Sequence, residues 1–167
     1  MSEEDIPNLP YLQATVKEIM RLHPVVPLLI PHESIQPCEV AGFYVPERTT
    51  LIVNTWSLSM DENSWDKPQE FRPQRFMDST VDLKGHHFQL LPFGAGRRAC
   101  PAINLGLLNV YLMLGSLVHS FEWSLPPGIK EMDMSESFGI ILYKTHPLVS
   151  VASPRLPREL YESLINY

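Results

Sequence analysis

Cysteine, arginine and glycine crowd into one short stretch of this chain, PFGAGRRACPA at residues 92–102. Cys100 is one of only two cysteines, the other being Cys38. A cysteine binds metal as its thiolate, and nearby positive charge or a helix N-terminus favours that form. Both are expected here. Arg98 and Arg97 stand two and three residues before Cys100. Pro101 suits the first position of a helix. That would put Cys100 at or near an N-cap, where the helix dipole and free backbone N–H groups favour negative charge. Gly94 and Gly96 allow a flat or bulky group to approach the backbone closely. No acidic residue falls between Asp82 and Glu122, whereas Lys84, Arg97 and Arg98 do. Such a basic island in a chain of net charge -6 suits an anionic partner.

On these residues alone three readings stay open. A lone cysteine before an apolar helix is often a small buried hydrophobe. A phosphate loop is a second reading, but GAGRRAC lacks the Lys-Ser/Thr that closes one. A metal-binding thiolate is the third. Zinc would need more ligands, and the spacing of His86, His87 and Cys38 fits no standard zinc pattern.

Several elements must position this stretch. Residues 9–23, LPYLQATVKEIMRLH, show helical spacing of apolar residues, with Asn8 as a possible cap, Pro10 in the first turn and Pro24 as the stop. VVPLLIPHES then reads as an extended, buried loop. Residues 36–54 read as paired strands with a turn at Ala41-Gly42, followed by a short helix at TWSLSMD. From Ser64 to Gly96 no period is sustained, and a long irregular stretch inside a compact domain tends to be functional. Residues 101–120 are the longest helix, apolar almost all round and so expected to be buried on most sides. FEWSL, SFGIILYK and LVSVA are strand candidates in the tail. The expected class is α+β, mainly α, with no internal repeat and no domain boundary.

The bulk composition narrows the field. With 167 residues and 44% apolar residues the chain can build a sizeable core. The negative net charge argues against general nucleic-acid affinity. Two cysteines make no disulfide framework and point to a reducing compartment. The acidic, proline-broken start MSEEDIPNLP is no signal peptide. Asn104 and Asn109 interrupt the apolar run after Cys100, which favours a buried helix over a membrane span.

FGAGRRACPA resembles the haem-binding loop of the cytochrome P-450 superfamily, F-x-x-G-x-R-x-C-x-G. Phe93, Gly96, Arg98 and Cys100 match, and Ala102 stands in place of the last glycine. KEIMR matches the family's E-x-x-R through Glu18 and Arg21. SWDKPQEFRPQRF resembles W-x-x-P-x-x-F-x-P-E-R-F through Trp65, Pro68, Phe71, Pro73, Arg75 and Phe76, with Gln74 in place of glutamate. PHES at 31–34 resembles the segment carrying a basic residue toward a haem propionate. The motifs occur in family order from about Leu9 to about Leu156, and the wording looks most like plant microsomal members near the flavonoid-hydroxylase-like group.

The resemblance implies the C-terminal third of that fold over 1–167, as a single partial domain: ExxR helix, small sheet, meander, haem loop, long buried helix and C-terminal hairpin. It implies haem b with Cys100 as axial iron ligand. Phe93 would pack beside the sulfur, Arg98 and His32 would meet propionates, and Gly94, Gly96 and Ala102 would lie against the macrocycle. Glu18, Arg21 and Arg75 would form a buried scaffolding triad. Val25, Val26, Leu28, Leu29, Phe138 and Ile140 would face substrate. The implied reaction is haem-thiolate monooxygenation of a small apolar or aromatic molecule. Electrons would come from NADPH through a reductase docked near the basic Cys100 face, with the parent on the cytosolic side of the endoplasmic reticulum. The family's membrane anchor and its oxygen-activating helix have no counterpart in these residues. The alternative expectation is therefore a truncated, inactive chain that at most binds haem or a partner. In either case the long apolar helix, left uncovered, would expose a large patch.

Overall fold

The structure is a computed structural model, and it describes residues 1–162. The expectation of one unit over 1–167 thus extends past the described residues, over 163–167.

A 3-10 helix at Glu3–Asn8 leads directly into α1, Pro10–Leu22. The N-cap is Leu9, which offers no side-chain oxygen, and not Asn8. Asn8 is instead the last residue of the preceding 3-10 helix. Pro10 does occupy the first helical turn, where its missing N–H costs nothing. The helix stops before Pro24, as the restriction on a pre-proline residue requires.

The strands are short and pair only in twos. β1 (His32–Glu33) pairs antiparallel with β4 (Thr50–Leu51), so the stretch expected to be wholly a loop contributes a strand. β2 (Cys38–Val40) and β3 (Phe43–Val45) form a hairpin whose turn is Ala41-Gly42, as the sequence suggests. Hence Thr50–Leu51 pairs backward across that hairpin instead of extending it. α2 (Thr55–Ser59) follows, capped by Asn54 Oδ1 accepting from the Ser57 N–H at 2.9 Å.

The stretch from 64 to 96 contains one 3-10 helix, Pro73–Phe76, and otherwise turns and bends. It is nonetheless where the core lies. Ala14 of α1 packs with Trp65, Phe76, Leu83 and Leu90, and Met20, Val81, Phe93 and Leu107 flank them. The rings of Trp65 and Phe76 sit 5.5 Å apart and tilted, a preferred arrangement for aromatic pairs.

α3 runs over Ile103–Ser120 and begins two residues later than the sequence suggested. A 3-10 turn at Gly96–Arg98 and an extended Ala99 (φ -57°, ψ 155°) delay it. Its burial also departs from expectation: Gly115 is the only buried residue of the helix, and Leu105 and Met113 are 61% and 68% exposed. At Gly115 the helix packs closely on Met1 and α1: a methyl group there would run into the Met1 thioether and lie 3.1 Å from Leu12 Cδ2. By length and apolar composition α3 could cross a membrane, a test that core helices also pass.

In the tail, β5 (Phe121–Ser124) pairs with β8 (Val151–Pro154). β6 (Glu136–Ser137) and β7 (Tyr143–Lys144) form a second hairpin. SFGIILYK is therefore two strand ends around a turn, not one strand. α4, Arg158–Glu162, ends the described chain.

Candidate functional site

The loop before α3 is anchored at its root and open at its tip. Leu90 and Leu91 are buried beneath it. Phe93 packs on the core and lies over α3, its Cε1 4.0 Å from where a Cβ on Gly106 would stand. The loop closes on itself: the Cys100 N–H donates to the Phe93 carbonyl at 2.9 Å, and the Ala99 N–H to the Gly96 carbonyl at 3.1 Å. Gly94 and Gly96 hold φ of 73° and 69°, a left-handed conformation that favours glycine.

Cys100 stands three residues ahead of the first helical residue, so it is not an N-cap. The positive charge near it comes from the arginines. Arg97 and Arg98 are exposed and, among the described residues, neither has a carboxylate partner. Cys100 itself is half-buried. Ala102 takes the N-cap of α3 at φ -97°, which any L-residue tolerates, and its side chain is exposed. Nothing in its backbone demands the glycine usual at that place. His32 lies half-buried on β1, its Cα paired with that of Leu51.

The second constellation lies beneath the meander. Glu18 and Arg21 are both fully buried on α1. Arg21 Nε and Nη2 donate to Glu18 Oε2 and Oε1 at 2.8 and 2.9 Å, a bidentate pair. Arg75 Nε donates to Glu18 Oε1 at 3.0 Å, and the Arg72 backbone N–H to the same oxygen at 2.8 Å. Arg21 Nη1 reaches the Ser59 carbonyl at 2.8 Å, and its guanidinium lies 5.4 Å from the Trp65 ring centre. Burial pushes the Glu18 carboxyl up, but the hydrogen bonds from Arg21, Arg72 and Arg75 outweigh it and hold the group below its ordinary range. Sequence reasoning missed the Arg72 N–H and Ser59, because backbone donors and acceptors leave no trace in residue type. Gln74, in place of glutamate, is exposed and takes no part.

The third group is an apolar cleft of ≈ 210 Å³. Leu28, Leu29, Phe138 and Ile140 line it together with Ile52 and two prolines, Pro27 and Pro31. Val25 and Val26 do not line it; they serve through their backbones. The Val25 carbonyl accepts from the Leu142 N–H at 2.7 Å, which ties the 138–142 turn to this stretch. The Val26 and Pro27 carbonyls accept from Thr55 Oγ1. Leu29 also reaches the cysteine loop, its Cδ1 3.8 Å from the position of a Cβ on Gly94. The cleft and the loop are thus neighbours.

A half-buried thiol on a glycine loop, flanked by arginines that lack a carboxylate partner among the described residues and backed by a buried carboxylate–arginine triad, defines the arrangement. A family profile for Cytochrome P450 matches residues 1–151. The chain belongs to the cytochrome P450 family, whose general cofactor is haem. It is 48% identical over 164 residues to flavonoid 3',5'-hydroxylase of Campanula medium, covering 96% of this chain and 31% of that protein. It is 48% identical over 156 residues to geraniol 8-hydroxylase of Swertia mussotii, covering 92% and 32%. Among solved structures, a zebra fish cytochrome P450 with abiraterone superposes with a TM-score of 0.80 at 34% identity, over 91% of this chain and 34% of that one. The chain spans about a third of the length of the curated relatives it matches.

Proposed function

We propose that the chain forms the iron-binding portion of a haem-thiolate monooxygenase, with Cys100 as the residue that would bind the iron. The observation that supports this most is the loop itself. Its thiol is half-buried, its two glycines present bare backbone, and Arg97 and Arg98 lack acidic partners within the described residues. Those are the features that a flat dianionic macrocycle bound through sulfur requires. The residues present therefore fit haem.

Haem, when bound, supplies the oxygen chemistry, and a thiolate ligand pushes electron density toward iron so that O–O cleavage is favoured. This chain's residues do the rest. Cys100 would hold the metal, and the Phe93 carbonyl fixes the Cys100 backbone. Arg98 and His32 would meet the propionates. Gly94, Gly96 and Ala102 would border the macrocycle. Leu28, Leu29, Phe138 and Ile140 wall the space for an apolar or aromatic substrate and exclude water from it, while Val25 and Val26 hold that wall in place. Glu18, Arg21 and Arg75 keep the meander, and through it the loop, at a fixed distance from α1. The proposed reaction is insertion of one oxygen atom from O₂, with electrons from NADPH delivered by a reductase to the basic face around Arg97. Likeness to plant members alone supports a location at the cytosolic face of the endoplasmic reticulum.

The test is the carbon-monoxide difference spectrum of the reduced, haem-loaded protein. A thiolate-type band is expected, and Cys100→Ala should abolish it while Cys38→Ala leaves it intact. A band unaffected by Cys100→Ala would overturn the assignment.

A further inference from the structure

Gly85 lies outside every motif discussed so far, yet it touches the cysteine loop more closely than any side chain could. A Cβ built on Gly85 would stand 2.8 Å from the Gly94 carbonyl oxygen, 2.9 Å from Ala95 Cα and 3.1 Å from Ala95 Cβ. Those are backbone atoms and a methyl group, none of which can swing aside. Gly85 also holds φ of +84°. The cleft wall makes a looser contact with the loop: a Cβ on Gly94 would find Leu29 Cδ1 at 3.8 Å, an ordinary van der Waals distance. The loop thus abuts the Gly85 backbone tightly and Leu29 loosely.

The turn that carries Gly85 is itself fixed. Asp82 Oδ1 accepts from the Lys84 N–H at 2.7 Å, and Asp82 Oδ2 pairs with His86 Nδ1 at 2.9 Å. Lys17 of α1 donates to the Val81 carbonyl at 2.7 Å. Leu83 is buried in the core. A side chain added at Gly85 must therefore displace Gly94 and Ala95. Their movement reaches Cys100 through the loop's own hydrogen bonds, the Cys100 N–H on the Phe93 carbonyl and the Ala99 N–H on the Gly96 carbonyl.

We propose that Gly85 is a positioning residue: its bare Cα sets how far the 93–100 loop stands from the core, and so where the Cys100 sulfur lies. The proposal rests on the reading of Cys100 as the iron ligand. Because packed backbones do not deform continuously, the expected consequence of a methyl group is displacement of the loop, not gradual adjustment.

The experiment compares Gly85→Ala with Gly42→Ala. Gly42 holds φ of +83° in the β2–β3 turn but has nothing within 4 Å of its Cβ position, so it shares the backbone strain without the contact. In the haem-loaded protein the reduced carbon-monoxide spectrum is recorded at equal haem content. Gly85→Ala should lose the thiolate-type band to the neutral-thiol form, whereas Gly42→Ala should keep it. Retention of the band in Gly85→Ala overturns the proposal. Absence of the band in the unsubstituted protein would instead overturn the ligand assignment. If Gly85→Ala retains no haem, iodoacetamide labelling of the haem-free chain decides. The rate at Cys100, taken relative to the exposed Cys38, should change in Gly85→Ala and stay constant in Gly42→Ala. An unchanged ratio in both would overturn the proposal.

Discussion

At the scale of single residues, Glu18 carries the clearest energetic consequence. Its carboxylate collects hydrogen bonds from two arginine side chains and one backbone N–H, and Arg21 is as fully buried as Glu18. A buried pair of this kind adds modest net stability, but removing one partner strands the other charge. Glu18→Ala should therefore cost about 3–5 kcal/mol in chemical denaturation. The pH dependence follows from the same bonds. The folded-state pKa is held below the ordinary value of 4.5, so the contribution is present above that value and is lost as pH falls below it. Unfolding profiles should show the unsubstituted chain losing more stability than Glu18→Gln as pH falls through this range. Parallel profiles would contradict it. Glu18, Arg21 and Arg75 are legible in the sequence because residue types recur at fixed spacing. Arg72 and Ser59 are not, since each acts through a backbone atom whose position only the fold determines.

At the scale of elements, the meander between Ser64 and Gly96 lacks regular structure but supplies Trp65, Phe76, Leu83 and Leu90 to the core. The Trp65 side chain packs on Phe76, faces Arg21 and donates its Nε1–H to the Leu58 carbonyl at 3.2 Å. Trp65→Ala should cost about 3–5 kcal/mol, the range for deleting a large buried aromatic. Calorimetry would read this as a lowered Tm. Element boundaries are less legible in the sequence than element types. The long apolar helix is evident from composition, yet its start at Ile103 depends on the 3-10 turn and extended Ala99 that precede it. Pro101 would suit a first helical position, but the loop's own hydrogen bonds place the start further on. The pairing of Thr50–Leu51 with His32–Glu33 was likewise hidden, because two-residue strands carry too little alternation to declare a partner.

At the scale of the whole molecule, α3 is apolar almost all round yet largely exposed, as expected of this helix when left uncovered. All-round apolar composition implies a covered helix. Among the described residues α3 is covered where Gly115 meets Met1 and α1, where Phe93 and Leu107 join the core, and near its end, where Trp123 and Arg155 donate to its carbonyls. Val110, Met113 and Leu117 share one exposed face at i, i+3, i+7 spacing, and exposed Leu105 lies beside it. An apolar stripe of this kind drives association. The 167-residue chain should self-associate in sedimentation experiments, and paired Leu105→Glu and Met113→Glu substitutions should shift it toward monomer. A monomeric unsubstituted chain would argue that this face is not adhesive. The cysteine loop touches the cleft through Leu29, and its Phe93 joins the core that α1 also reaches through Ala14. The ligand assignment of Cys100 is the central claim. X-ray absorption at the iron edge of the haem-loaded protein tests it most directly. One sulfur in the iron's first shell, lost in Cys100→Ser and kept in Cys38→Ser, is the predicted result. A shell without sulfur, or a sulfur that survives Cys100→Ser, would contradict it.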